Sequence, residues 1–319
     1  MKRVLVTGAS GYIGNRLVKG LLEQNEAGKV VGLDVKKSGV SHPNFVSVEQ
    51  DIRAPLDGLI KEHGINLIAH LAYILPPIHD TALMEDINKG GTINVLESSA
   101  RCGVTQILYT SSTTAYGFYP DNPIPLAEDS PLRGNSDFTY AKNKREIEGI
   151  IAEFKKTNPT MAISILRPCF VVGPGFNNPL ARHLRKKLVL LPTNMQPFQF
   201  VHEDDLLAIM LHFVETGADG VFNVAGEGTM SFRDMVSMLG GHVLALPYGI
   251  MYALNAVAWK LRMTFMTEFP SPALNLIACP WLASSDKLIR ETGYKYKYDT
   301  RSAFEDFVRH VKAACLKTA

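Results

Sequence analysis

The feature that most constrains this chain comes at its start. Val4-Leu5-Val6 is a short apolar run that breaks into Thr7-Gly8-Ala9-Ser10-Gly11-Tyr12-Ile13-Gly14. The run reads as a buried strand. From Tyr12 to Gln24 the apolar residues Ile13, Leu17, Leu21 and Leu22 recur with a helical period. Glycines three apart let the backbone turn tightly and approach a phosphate without a Cβ in the way. The helix that follows offers its N–H groups and positive dipole end to the same anion. A glycine-rich turn alone is weak evidence, but here a strand precedes it and a helix follows. Asp34 also closes the second predicted strand (Val30 to Val35), 20 residues after Gly14. A carboxylate there can accept hydrogen bonds from ribose hydroxyls.

These positions predict a dinucleotide site over Gly8, Ser10, Gly11, Tyr12, Ile13, Gly14 and Asp34. The negative charge of Asp34 favours NAD over NADP, whose 2′-phosphate it would repel. Lys36 and Lys37 stand close enough in sequence to soften that preference, so NADP remains open. Asp51 and Ile52 follow the third predicted strand (Phe45 to Val48), where a carboxylate can meet the adenine amine. An exposed loop acid explains Asp51 equally well from its position.

The rest of the first half repeats the alternation of short strands and longer helices that builds a parallel sheet. Strands are expected at Leu67 to Leu71, Gln106 to Tyr109 and Ala162 to Leu166, and helices at Ile87 to Ala100 and Phe138 to Phe154. The fold expected is α/β, a doubly wound parallel sheet of the Rossmann type with a smaller, discontinuous C-terminal substrate lobe. Residues 1–175 form the dinucleotide-binding domain. Residues 200–226 return to it, through Phe200 to Val214 and Gly220 to Val224. Residues 176–199 and 227–319 make up most of the substrate lobe.

Composition limits the alternatives. The 319 residues are 46% hydrophobic and 20% charged, with a net charge of +2 and both signs interspersed. That is ordinary for a globular chain and leaves no basic stripe for nucleic acid. Cys102, Cys169, Cys279 and Cys315 are widely separated and form no C-x-x-C pair, which reads as reduced thiols in a cytoplasmic protein and offers no metal site. Only three apolar residues follow Met1-Lys2-Arg3, too few for a signal peptide. Tyr248 to Met266 approaches membrane-spanning length, but Asn255, Lys260 and Arg262 interrupt it, so a core or lobe helix is expected and no integral span. The expected partner is a small-molecule substrate, and the sequence leaves a homodimer open.

Tyr140-Ala141-Lys142-Asn143-Lys144 lies on a predicted helix, and a spacing of four puts Tyr140 and Lys144 on one face. An ammonium beside a phenol favours the phenolate and makes the tyrosine a usable acid/base near neutral pH. Tyr109-Thr110-Ser111-Ser112 ends a strand at the sheet edge where ligands bind.

Glycine turn, strand-end serine and Tyr-Lys helix, in this order, resemble the extended short-chain dehydrogenase/reductase family, which includes NAD-dependent epimerases and dehydratases. Nearly the whole chain takes part in the resemblance. His70-Leu71-Ala72, Asn88 with Gly91-Thr92, Leu166-Arg167-Pro168, Phe200-Val201-His202-Glu203-Asp204-Asp205 and Val221-Phe222-Asn223-Val224-Ala225-Gly226 add to it. It implies Ser112 as the active hydroxyl, preferred over Ser111 and Thr113, Tyr140 as acid/base, and Lys144 on the nicotinamide ribose. It also implies Leu71, Ala72 and Asn88 beside the cofactor and Pro168 at the nicotinamide carboxamide.

Dehydratases of this family carry an Asp-Glu pair where this chain has Thr113 and Thr114, so water elimination is not expected. Epimerases of nucleotide sugars usually have a basic residue where this chain has Phe198. With the apolar stretch Leu246 to Met266, that favours an NAD(P)-dependent oxidoreductase acting on a secondary alcohol or ketone, hydroxysteroid-like in its apolar substrate. A nucleotide-sugar 4-epimerase is the alternative, and a non-catalytic NAD-binding regulator the third reading.

Overall fold

The computed structural model describes residues 1–24 and 27–318, with side chains up to residue 314. The first half builds β1 (Lys2–Thr7), α1 (Tyr12–Glu23), β2 (Ala27–Asp34), β3 (Phe45–Glu49), α2 (Asp57–His63) and β4 (Leu67–His70). Next come α3 (Thr81–Glu85), a π-helical turn over Asp86–Gly90, α4 (Gly91–Cys102), β5 (Gln106–Thr110), α5 (Thr139–Thr157) and β6 (Ala162–Pro168). The second half adds β7 (Phe170–Val172), α6 (Pro179–Leu184), β8 (Leu188–Pro192), β9 (Phe200–His202), α7 (Glu203–Thr216) and β10 (Gly220–Val224). The chain ends with α8 (Phe232–Met238), β11 (His242–Leu246), α9 (Tyr248–Lys260), α10 (Asn275–Ala278), α11 (Asp286–Thr292) and α12 (Thr300–Thr318).

Seven strands form one sheet in the order β10-β6-β5-β4-β1-β2-β3. The pairings from β3 across to β6 are all parallel. The chain turns from building one side of the sheet to building the other between β1 and β4, the switch point where doubly wound sheets bind ligands. Strands covered on both faces must be apolar throughout, and Val4, Leu5, Val6 and Ile68 are fully buried as that requires. On one side Leu5, Val31, Ile68 and Val95 share a core cluster. Another gathers Ile107, Ile147, Ile163 and Ile165.

The chain divides into two compact units. The first comprises residues 1–112, 143–167 and 207–222, and the second residues 113–142, 168–206 and 223–319. The core of the second unit is aromatic. Phe198 lies 5.2 Å from Phe170, 5.1 Å from Phe232 and 5.3 Å from Trp281, ring centre to ring centre.

Two expectations need correcting. Phe200 to Val214, expected to return to the main sheet, adds no strand to it, although residues 207–222 belong to the same compact unit. Its first three residues, β9, pair with β7 in a separate two-stranded sheet, and Glu203–Thr216 is helix α7. Leu207 and Leu211 of that helix pack against Gly20 of α1. Gly220 to Val224 does join the main sheet. The helix expected from Ile87 starts instead as the π turn, with α4 beginning at Gly91. Among the described residues no helix is long and apolar enough to cross a membrane, and no group of His, Cys, Asp and Glu is arranged to hold a metal ion.

Candidate active site

The glycine turn leaves β1 at the switch point of the sheet. Gly8 has φ +72°, a left-handed conformation that favours glycine, and its N–H is held by the Leu33 carbonyl at 2.8 Å. A Cβ on Gly8 would stand 2.8 Å from the Ala72 nitrogen. One on Gly14 would stand 2.0 Å from the Gly8 carbonyl oxygen. Gly11 is the N-cap of α1 and brings no side-chain acceptor for the first-turn donors, and no acidic residue lies in that turn. The bare, electropositive start of α1 is thus shaped for an anion and fits the pyrophosphate of a dinucleotide.

Asp34 stands beside this turn and accepts N–H donors from Ser10 at 3.0 Å and Lys36 at 3.2 Å. Ser10 gives its hydroxyl to the Lys36 carbonyl at 2.7 Å, so turn and second strand are stitched together. Tyr12 is exposed and Ile13 half-buried at the helix start. Asp51 is clamped by Arg53 at 2.6 Å, which holds its carboxyl below the usual range. Arg53 also reaches Asp86 at 2.7 Å. Asp51, Arg53, Ala54, Asp86 and Gly90 line a depression of about 580 Å³, and Ile52 is buried beside Gly91.

A buried polar chain runs behind the turn. Leu71 and Ala72 donate their N–H groups to the Thr7 hydroxyl at 3.2 Å, which must then give its proton to His70 Nδ1 at 2.7 Å. His70 Nε2 therefore carries the ring hydrogen and donates to Thr92 Oγ1 at 3.0 Å. Thr92 passes its own proton to the Asn88 carbonyl at 2.7 Å. Burial, helped by the charge of Lys144, pushes His70 down to about 3, so it stays neutral as this chain requires. The Asn88 side chain grips the backbone of Ile74, accepting at 2.8 Å and donating at 3.3 Å. The π turn places it there.

Helix α5 carries Tyr140 and Lys144 one turn apart, Tyr140 half-buried and Lys144 buried. Lys144 Nζ donates to the Thr110 carbonyl at 2.8 Å and lies 3.9 Å from the centre of the Tyr73 ring. Burial draws its pKa down to about 7, opposed by Glu148 one turn further on.

Glu148 anchors more than its own helix. It pairs with Arg167 of β6 at 2.6 Å, both side chains almost wholly buried, and takes the Ser111 hydroxyl at 2.5 Å. The ends of β5 and β6 are thereby tied to α5. With Ser111 committed to Glu148 and the Thr113 hydroxyl directed at the Pro168 carbonyl at 3.5 Å, the neighbours of Ser112 have structural partners. This buried pair was absent from the sequence reading; Arg167 in the Leu-Arg-Pro run was its one visible trace.

Phe198 is buried in the aromatic core of the second unit, where it exchanges backbone hydrogen bonds with Met230, and so does not mark an apolar pocket. Asp205 ties down the C-terminal segment, accepting from the Tyr294 hydroxyl at 2.7 Å and from the backbone N–H groups of Lys297 and Tyr298.

A UDP-glucose 4-epimerase of Erwinia amylovora is 28% identical over 261 residues, covering 77% of this chain and 73% of that one. An uncharacterised protein of Mycobacterium tuberculosis is 25% identical over 97% of this chain and 84% of its own length. Among solved structures, a UDP-glucose 4-epimerase of Thermotoga maritima with UDP-glucose superposes at a TM-score of 0.78, with 19% identity, over 98% of this chain and 99% of that one. A dTDP-glucose 4,6-dehydratase of Bacillus anthracis in complex with NAD does so at 0.76, with 18% identity, over 98% and 97%. The pattern of the NAD dependent epimerase/dehydratase family matches residues 4–225, most of the chain, and this protein belongs to that family.

Proposed function

We propose that this protein binds NAD on the glycine turn and interconverts a secondary alcohol and a ketone, with Ser112, Tyr140 and Lys144 as its reacting side chains. The observation that carries the proposal is the turn over Gly8, Gly11 and Gly14, where a Cβ on Gly8 or Gly14 would collide with backbone and where the first N–H groups of α1 have no side-chain cap. Asp34 would accept hydrogen bonds from the adenosine ribose, with Asp51 and Ile52 towards the adenine. Leu71, Ala72, Asn88 and Pro168 would flank the rest of the dinucleotide. When bound, NAD supplies the hydride acceptor. Tyr140 takes the proton from the substrate hydroxyl, or returns it in the reverse direction. Lys144 binds the nicotinamide ribose and, while protonated, favours the phenolate of Tyr140. Ser112 hydrogen-bonds the substrate oxygen. The second unit is assigned to substrate binding.

Thr113 and Thr114 offer no acid or base for eliminating water, so net dehydration is not part of the proposal. A nucleotide-sugar 4-epimerase is a second reading, favoured by the curated relatives named UDP-glucose 4-epimerase and by the loss of Phe198 as a mark of an apolar pocket. The two readings separate in one assay, in which the protein is titrated with NAD and NADP and then offered lipophilic secondary alcohols and UDP-hexoses. NADH accumulating with an alcohol supports net oxidation. A hexose interconverted without NADH release supports the epimerase. Tighter binding of NADP than of NAD would overturn the role given to Asp34.

A further inference from the structure

Helix α9 is apolar on nearly every side, a composition expected of a helix covered all round. Here only one face is covered. Asn255 donates to the Phe269 carbonyl at 2.9 Å, the Ser271 hydroxyl to the Tyr252 carbonyl at 2.8 Å, and Tyr248 to Asn275 at 2.5 Å. The helix also packs on β8. The opposite face is bare. Ile250, Leu254, Val257 and Leu261, spaced four, three and four apart, make a single stripe more than half exposed, and Phe265 just beyond is 75% exposed. Arg262 ends the helix at φ +55°, a left-handed position that usually belongs to glycine.

The chain segments that build this face are rich in cations, and Asp137 is the acid outside them whose charge reaches Tyr248 at the start of the helix. Residues 176–202 and 235–285 together hold six Lys and Arg but one acid, Glu268, a net charge of +5 against +2 for the whole chain. Glu268 is already paired with Arg182, which joins α6 to the turn after α9. Arg185, Lys186, Lys187, Lys260 and Arg262 are exposed. A second copy meeting this surface across a two-fold axis would oppose like charges, which disfavours a dimer here. An apolar stripe with a cationic surround matches a bilayer of anionic lipid, which offers hydrocarbon to one and negative headgroups to the other.

We propose that this face of the second unit is a peripheral docking surface for anionic membranes, with the α9 stripe lying at the headgroup boundary. The experiment is cosedimentation of the full chain with vesicles of phosphatidylcholine, with and without about one third phosphatidylserine. Binding should require phosphatidylserine and weaken as salt is raised. It should fall by about tenfold or more in Lys186→Glu/Lys187→Glu and in Leu254→Ser/Leu261→Ser/Phe265→Ser. All five positions are exposed, so both variants should keep the wild-type melting temperature, measured alongside. No binding to anionic vesicles would overturn the proposal, as would equal binding to phosphatidylcholine alone or binding that neither folded variant weakens. A wild-type dimer that the triple serine variant converts to monomer, with no vesicle binding, would assign the face to a second copy instead.

Discussion

At the scale of single residues, Tyr140 bears the proposed proton transfer. Phenylalanine at that position keeps the ring that packs near Phe138 and removes the phenol oxygen to which the proton transfer is assigned. Tyr140→Phe should therefore lower turnover by about 10²–10⁴-fold while NAD affinity, read by fluorescence quenching, stays near wild type. Lys144→Ala should weaken both, since the proposal gives its ammonium to the ribose as well as the tyrosine, and Ser112→Ala should lower turnover alone. A Tyr140→Phe protein with wild-type turnover would end the assignment. The placement of Tyr140 and Lys144 one turn apart on a helix was legible in the sequence because that spacing is local. Glu148 was not legible, because its partners are Ser111, just past β5, and Arg167 of β6, which only the sheet brings to one helix.

At the scale of elements, the turn between β1 and α1 has no room to spare. A methyl on Gly14 would meet backbone, the Gly8 carbonyl oxygen at 2.0 Å, and no rotamer change relieves a clash with main chain. Gly14→Ala should shift the turn, lowering NAD affinity by roughly tenfold or more and stability by more than about 1 kcal/mol. Cofactor titration and thermal melting read the two effects, and an unchanged affinity would show that the turn is not the pyrophosphate cradle. The strand and helix that flank this turn could be read from apolar period alone. β9 and α7 could not, because Phe200 to Val214 is apolar enough for either state, and its partners, Phe170 to Val172 and Gly20, lie far away in sequence.

At the scale of the whole molecule, a buried acid links stability to pH. Glu203 is buried under the loop at Gly173 and Gly175. Burial lifts its pKa to about 7, opposed by the Gly175 N–H at 2.9 Å and reinforced by Asp204 and Asp306. A folded pKa above the ordinary value of 4.5 means that the folded chain holds the proton more tightly than the unfolded one. Stability from this group is full below that ordinary value and is lost as pH rises through about 7. Glu203→Gln keeps an acceptor for Gly175 without the charge. It should melt several degrees above wild type at pH 8 and converge with it near pH 5. Equal melting temperatures at both values would refute the linkage.

The sequence by itself determined what depends on near neighbours along the chain: the glycine cradle, the Asp34 carboxylate at the end of its strand, and the Tyr140–Lys144 spacing on one helix. It also determined the parallel α/β class, because alternating strand and helix periods leave few other ways to bury both faces of a sheet. Only the tertiary structure decided that the Ser111 hydroxyl is held by Glu148, and that Phe198 belongs to an aromatic core. It alone showed that one face of α9 is left uncovered. Each of those outcomes depends on what a side chain meets across the fold, and apolar residues read alike in sequence whether they end in a core or on a surface.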